Sequence, residues 1–214
     1  MSDFIQFLGS GGPVMAPIGL ASVVGLAVFL ERAVALRRAG VVPADFAREA
    51  VELLRQGRPA DALTAARKRE AAAARVVATA LEARGQTRPV IKERLEEVGR
   101  REAAELERNA PIIGTVASIS PLMGLLGTVW GMIQTFEVIQ TQGVGVVGSL
   151  AGGISQALIT TMAGLSVGIP ALIAYRWVLA RVDALVLELE EVGLEVLDLV
   201  AAPATGVDGD GEPT

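Results

Sequence analysis

The chain has no cysteine and no histidine. That excludes disulfides, metal sites built from thiolates or imidazoles, and catalysis carried by either side chain. No Lys or Arg occurs in residues 1–31 or 109–175, and between 109 and 175 the one charged residue is Glu137. Aromatic residues are scarce, at 4%. The basic residues of the middle segment are interspersed with acids, so no nucleic-acid surface is expected. The N-terminus lacks a basic region, Asp3 being its only early charge, and does not read as a cleavable signal peptide.

What is present is apolar. Of 214 residues, 51% are hydrophobic and 20% charged, a membrane-protein composition. Three uncharged runs, 4–30, 109–136 and 138–175, each exceed the roughly 20 residues that cross a hydrocarbon core of about 30 Å. The expected spans are 13–30, 109–139 and 149–175. Of the 19 basic residues, 17 lie in 32–108 and the others are Arg176 and Arg181. Basic residues flank the cytoplasmic ends of membrane helices. This places 31–108 and 176–214 inside, and the N-terminal segment 1–12 and the turn 140–148 outside. The expected fold is an all-α membrane protein with three transmembrane helices, N-out and C-in, whose long helices extend into a helical cytoplasmic domain.

Within 31–108, Gly40 and Pro43 punctuate a first segment. Phe46, Ala50, Val51, Leu53 and Leu54 then form a helical stripe. Gly57, Arg58 and Pro59 make a turn, and an Ala-rich helix follows from Ala60 to a break at Gly85 to Pro89, with Thr87 as N-cap. From Arg88 no strong stop intervenes, so one helix is expected over about 88–139, kinked at Pro111 and Pro121. After Arg176, Val178, Leu179, Val182, Leu185, Val186, Leu189, Val192 and Val196 recur at three and four, with Glu188, Glu190, Glu191, Glu195 and Asp198 on the other face. That is an amphipathic helix over 176–202 suited to packing on a partner. The Gly-Ser-Gly-Gly-Pro at 9–13 separates an interfacial helix over 2–8 from the first span. Residues 203–214 read as a disordered tail. Its Asp208, Asp210 and Glu212 resemble a calcium loop only in composition, so no metal site is expected.

The spans hold more small and polar residues than a lipid-facing helix needs. Ser120, Gly124, Gly127 or Thr128, Gly131, and Gln134 or Thr135 share one face of the second span. In the third, Gln156 and Thr160 share one side, and Ala157, Thr161, Gly164 and Gly168 an adjacent one. Gly124, Gly127, Gly131, Gly164 and Gly168 are candidates for close helix packing. Thr128, Thr161, Gln156 and Thr160 are candidates for lining a polar path. A Thr hydroxyl can instead bond its own backbone, and Gln156 can serve as an interhelical hydrogen-bonding residue. Glu137 reads as a solvated interfacial carboxylate, Trp130 as a packing residue, and Trp177 as part of an interfacial belt. No Asp, Glu, Lys, Arg or His lies in the interior of a span, Glu137 sitting at the outer end of the second, although proton pathways ordinarily need a titratable group at depth. Any such path must take its acid from another subunit.

Gly124-Leu-Leu-Gly-Thr-Val-Trp-Gly-Met-Ile and Ile154-Ser-Gln-Ala-Leu-Ile-Thr-Thr-Met-Ala-Gly-Leu-Ser-Val-Gly-Ile-Pro-Ala resemble the MotA/TolQ/ExbB family, on its ExbB and TolQ side. Leu30-Glu-Arg after the first span and the three-span topology agree, whereas MotA-type stators have four spans. The resemblance implies a non-enzymatic proton-channel subunit of a bacterial inner-membrane motor, with protons as the transported ion and no cofactor. It implies a homopentamer around two helices of an ExbD- or TolR-like single-span partner, itself a dimer, which contributes a membrane aspartate. The driven component would be a TonB- or TolA-like protein or a gliding apparatus, with lipid as the surroundings. The family's pore threonines correspond to Thr128 and Thr161. Many relatives carry Glu where this chain has Gln156, and a neutral amide cannot take up a proton, so no acid–base role is expected there. The alternative reading is a non-conducting membrane scaffold whose cytoplasmic helices dock other proteins. A small-solute transporter ranks below both, since no inverted repeat is present.

Overall fold

A computed structural model describes residues 12–142 and 147–201. The expected interfacial helix over 2–8, the tail over 203–214 and the middle of the turn over 140–148 lie outside the described residues. Eight α-helices occur among the described residues: α1 (Met15–Ala35), α2 (Arg38–Val41), α3 (Ala44–Arg55), α4 (Pro59–Arg67), α5 (Ala72–Glu82), α6 (Arg88–Glu107), α7 (Ala110–Gln142) and α8 (Val147–Val200). There is no strand among them. The chain divides into two compact units, Met1–Val34 with Glu107–Ala180, and Ala35–Leu106 with Arg181–Thr214.

The first unit is apolar. The helices α1, α7 and α8 are each long and apolar enough to cross a membrane. Proline shapes them. Pro17 sits in the first turn of α1, where a backbone N–H has no helical partner to lose. Pro121 and Pro170 lie inside α7 and α8, and both helices continue through them. The single helix expected over 88–139 is instead two, interrupted at Arg108 and Asn109. Pro111 has no N–H to give the carbonyl of Glu107, and its ring crowds that carbonyl. The Asn109 carbonyl opens the new helix by accepting the Ile112 amide at 3.2 Å.

The second unit is a small helical cluster. Its largest fully buried side chain is Phe46 of α3, and Ala50, Ala62, Ala66, Ala73, Val77 and Ala80 of α3, α4 and α5 are buried as well. Alanine lets α3, α4 and α5 approach closely, and Phe46 fills the remaining space. The Ala-rich stretch is two helices, not one, with a break over 68–71. Tertiary packing overrides its high helix propensity. Across the break Arg67 pairs with Glu82 at 2.7 Å, and Arg69 reaches back to Asp45 at 2.9 Å. Gly57 and Gly85 turn the chain at φ of 71° and 90°, a region glycine enters without strain.

Much of the apolar stripe on the amphipathic part of α8 is covered within this chain, while its Leu179, Val186 and Val192 are half-buried. Val182, Leu185, Leu189, Val196 and Leu197 are buried within this chain, each worth about 1.5–3 kcal/mol when fully removed from water. Its acidic face pairs with arginines of the same unit: Glu188 with Arg38, Glu195 with Arg55, and Asp198 with Arg88. Exposed pairs of this kind contribute little individually, about 0–1 kcal/mol, but they fix the register of α8 on α2, α3 and α6. Arg75 makes a two-pronged bond at 2.5 Å to Glu102, which is 4% exposed. The hydrogen bond to Glu102 holds the Arg75 guanidinium above its ordinary range, against the opposing effect of its own partial burial, and the Glu102 charge adds to the rise.

Candidate functional site

Within the first unit, α7 and α8 run antiparallel and meet along a stripe of small residues. A methyl group on Gly124 would lie 3.1 Å from the Thr160 carbonyl oxygen and 3.3 Å from the Gly164 Cα. One on Gly131 would lie 3.1 Å from both the Ala157 Cβ and the Gly153 carbonyl oxygen. One on Gly164 would be 2.6 Å from the Ser120 carbonyl oxygen, and one on Gly168 would be 2.6 Å from the Pro121 ring. Gly127 takes the Thr160 side chain, and Gly153 takes the Thr135 hydroxyl. The partners step by three to four residues in opposite directions, so the expected packing glycines form one continuous seam. Backbone touches backbone there, a geometry only glycine allows.

The hydroxyls divide into two groups. Ser120, Thr135 and Thr160 are buried in the seam, and each donates to the carbonyl four residues back in its own helix, at 2.7, 2.8 and 2.9 Å. Thr128 and Thr161 are half-buried at the seam's edge. Thr128 donates to the Leu125 carbonyl at 2.6 Å. Thr161 donates across the interface to the Gly124 carbonyl at 3.1 Å, one helical turn from Thr128. Thr161 also lines an open groove with Leu158, Met162, Leu165, Ser166, Ile169 and Pro170. In each case the single hydroxyl proton is committed to backbone and the oxygen lone pairs remain. Such an oxygen can accept a hydrogen bond from an acid or a water and cannot itself bind a proton near neutral pH.

Of the four polar candidates, Thr128 and Thr161 thus sit at the seam's edge, and Thr160 is inside the seam against Gly127. Gln156 is half-buried, and its carboxamide lies against Gly12. Gln134 is exposed where Thr135 is buried, which settles the register of that face. Glu137 is exposed. Trp130 is 47% exposed and does not fill this chain's own core. Trp177 packs edge-on to Phe29, with ring centroids 5.8 Å apart.

The other end of α1 is tied down as firmly. Glu31 pairs with Arg32 and accepts the Asn109 side-chain amide at 3.1 Å. Arg32 is 5% exposed, so its charge is held by that contact set rather than by solvent. Gly25 abuts Val116, and Gly114 abuts the Tyr175 ring. The contact of Gly12 with Gln156 and the role of Gly153 in the seam were not legible in the sequence, whereas Ala157 lies on the face it was expected to share with Thr161, Gly164 and Gly168. Gly12 sits in a run of turn formers, where nothing in composition singles out one residue.

Comparison with known proteins gives a consistent picture. Residues 68–191 match the MotA/TolQ/ExbB proton channel family. The chain is 43% identical over 86 residues to the Tol-Pal system protein TolQ of Pseudomonas aeruginosa, which covers 40% of this chain and 37% of that protein. It is 34% identical over 178 residues to the putative biopolymer transport protein ExbB-like 1 of Synechocystis sp., covering 80% and 68%. With the biopolymer transport protein ExbB of Aquifex aeolicus it shares 39% over 88 residues, covering 41% and 60%. The match thus spans little more than a third of the TolQ relative's length and two thirds of the Synechocystis protein.

Proposed function

Since the chain belongs to the MotA/TolQ/ExbB proton channel family, we propose that it is the channel subunit of a proton-driven motor in a bacterial inner membrane. It assembles as a homopentamer around the paired membrane helices of an ExbD- or TolR-like partner, with its N-terminus outside and its helical domain in the cytoplasm. Proton flow through this complex does mechanical work on a periplasmic protein, of the kind that energises TonB-dependent transport, Tol-type envelope maintenance or gliding.

One observation carries the reading. Residues 110–136 of α7 and 147–174 of α8 hold no titratable side chain, yet Thr128 and Thr161 present oxygen lone pairs whose own protons are already committed. A carboxylic acid on the partner helix can donate its O–H to either oxygen. An ionised carboxylate facing the same lone pairs has no donor there. The hydroxyls therefore favour the protonated acid while it crosses the apolar zone, and release occurs where water supplies donors. Gln156 cannot replace that acid, because an amide does not ionise in the relevant range.

The test is proton flux into vesicles carrying the chain with its partner, read with an entrapped pH dye. Thr161→Val keeps the side chain's shape and removes the oxygen, and flux should fall at least tenfold. Thr135→Val, which removes a seam hydroxyl bonded within its own helix, should conduct like wild type. Equal flux in wild type and Thr161→Val overturns the reading.

A further inference from the structure

Gly12 precedes α1 with a backbone φ of 73°, the left-handed region that side chains rarely enter. Its carbonyl accepts the Met15 amide at 3.1 Å and closes the turn that starts α1. A second constraint acts on the same residue. A Cβ on Gly12 would fall on the Gln156 carboxamide, with the Gln156 Cδ at 3.3 Å and Cγ at 3.9 Å. The outer half of the Gln156 side chain therefore lies along the Gly12 backbone, and Gln156 is not among the residues lining the Thr161 groove. The next residue, Ala157, packs against Gly131 of α7. One turn of α8 thus holds both the leading turn of α1 and the middle of α7.

The geometry points to Gln156 as a positioning residue: its carboxamide clamps the Gly12 turn to α8 and so fixes where α1 joins the bundle, and it takes no part in proton transfer. A neutral side chain suits this place. No Lys or Arg occurs in 1–31 or 109–175, so a half-buried carboxylate there would have no cation from these stretches to offset its desolvation. The consequence for flux rests on the channel reading above, whereas the clamp itself does not.

The experiment uses the full chain with its partner in lipid nanodiscs and reads two quantities, amide exchange of the segment beginning at Met15 and proton flux as a function of pH. Gln156→Ala and Gly12→Ala break the same contact from opposite sides. Each should raise exchange in that segment by roughly three- to tenfold, and the double variant should go no further than the larger single effect, because the two residues act as one unit. Gln156→Met keeps the side chain's length but cannot relay a proton. It should retain protection and leave the flux-versus-pH curve where it is in wild type. Flux lost in Gln156→Met with exchange at the wild-type level overturns the proposal and assigns Gln156 to the proton path. Wild-type exchange in both Gln156→Ala and Gly12→Ala overturns the clamp. If the wild-type complex passes no protons, the channel reading fails, and the exchange data still decide the clamp.

Discussion

Replacing Gly164 by alanine probes the seam at its tightest point. The added methyl would lie 2.6 Å from the Ser120 carbonyl oxygen and 2.9 Å from the Gly124 Cα. Both are backbone atoms of α7, so no rotamer change relieves the collision and the helices must separate. Alanine recovers about 0.5–1 kcal/mol of helix propensity, while forcing a carbon into a packed interface costs about 1–3 kcal/mol. With two backbone atoms inside 3.0 Å the upper end applies, and the net loss should be about 2 kcal/mol. Separation also stretches the Thr161 bond to Gly124, since Gly124 is pushed directly. Gly152→Ala on the same helix is the control, because a Cβ there meets nothing within 4 Å; it should be neutral or stabilising by up to about 1 kcal/mol. Reversible unfolding in mixed micelles, followed by circular dichroism, measures both. If Gly164→Ala and Gly152→Ala unfold at the same free energy, the helices are not in backbone contact and the seam is wrong.

Three further predictions concern the second unit. Phe46→Ala removes its largest fully buried side chain and the ring beneath the Arg69 guanidinium, 5.5 Å from the centroid; thermal unfolding should show a loss of about 3–5 kcal/mol, and a loss below about 1 kcal/mol contradicts the packing. Arg75→Ala leaves the buried Glu102 carboxylate without its two-pronged partner; because Arg75 is half exposed, the loss should be about 1–2 kcal/mol, with Glu102→Gln smoothing it in the double variant. The hydrogen bond from Arg69 holds the Asp45 carboxyl below the ordinary aspartate range. A folded value below the unfolded one means the contribution is present above that ordinary range and is lost as pH falls through the lowered value. The difference in Tm between wild type and Asp45→Asn should therefore shrink toward zero in that acid window, and a constant difference would refute the assignment.

Much of the membrane part was legible because polarity in a bilayer is expensive. Three uncharged runs had one cheap solution, and glycines at three- and four-residue spacing had to face another helix. The break at Arg108 and Asn109 was harder to read. Pro111 marks it, but a proline within a long apolar pattern signals a kink as readily as a stop, and only the Asn109 carbonyl's bond to the Ile112 amide distinguishes them. The division of the Ala-rich stretch left no local trace, because alanine is the best helix former and the break over 68–71 is imposed by packing around Phe46. The stripe on α8 from Val182 to Val196 was correctly read as apolar, yet periodicity cannot say whether its cover is a partner or the same chain. Among the hydroxyls, spacing put Thr128 beside Gly127 and Thr161 beside Thr160; which of each pair turns into the seam depends on the crossing of α7 and α8, a tertiary quantity. The resemblance narrowed the four polar candidates to Thr128 and Thr161, and the geometry adds that both oxygens have already spent their protons on backbone carbonyls.

The central claim is that this chain supplies half of a proton path and takes its acid from a partner. The direct measurement is proton flux in vesicles holding the chain with the single-span partner, compared with the same complex in which the partner's membrane aspartate is changed to asparagine. Flux with the aspartate and none with the asparagine, at equal amounts of assembled complex, is the predicted result. Equal flux from both complexes, or from this chain without any partner, contradicts it.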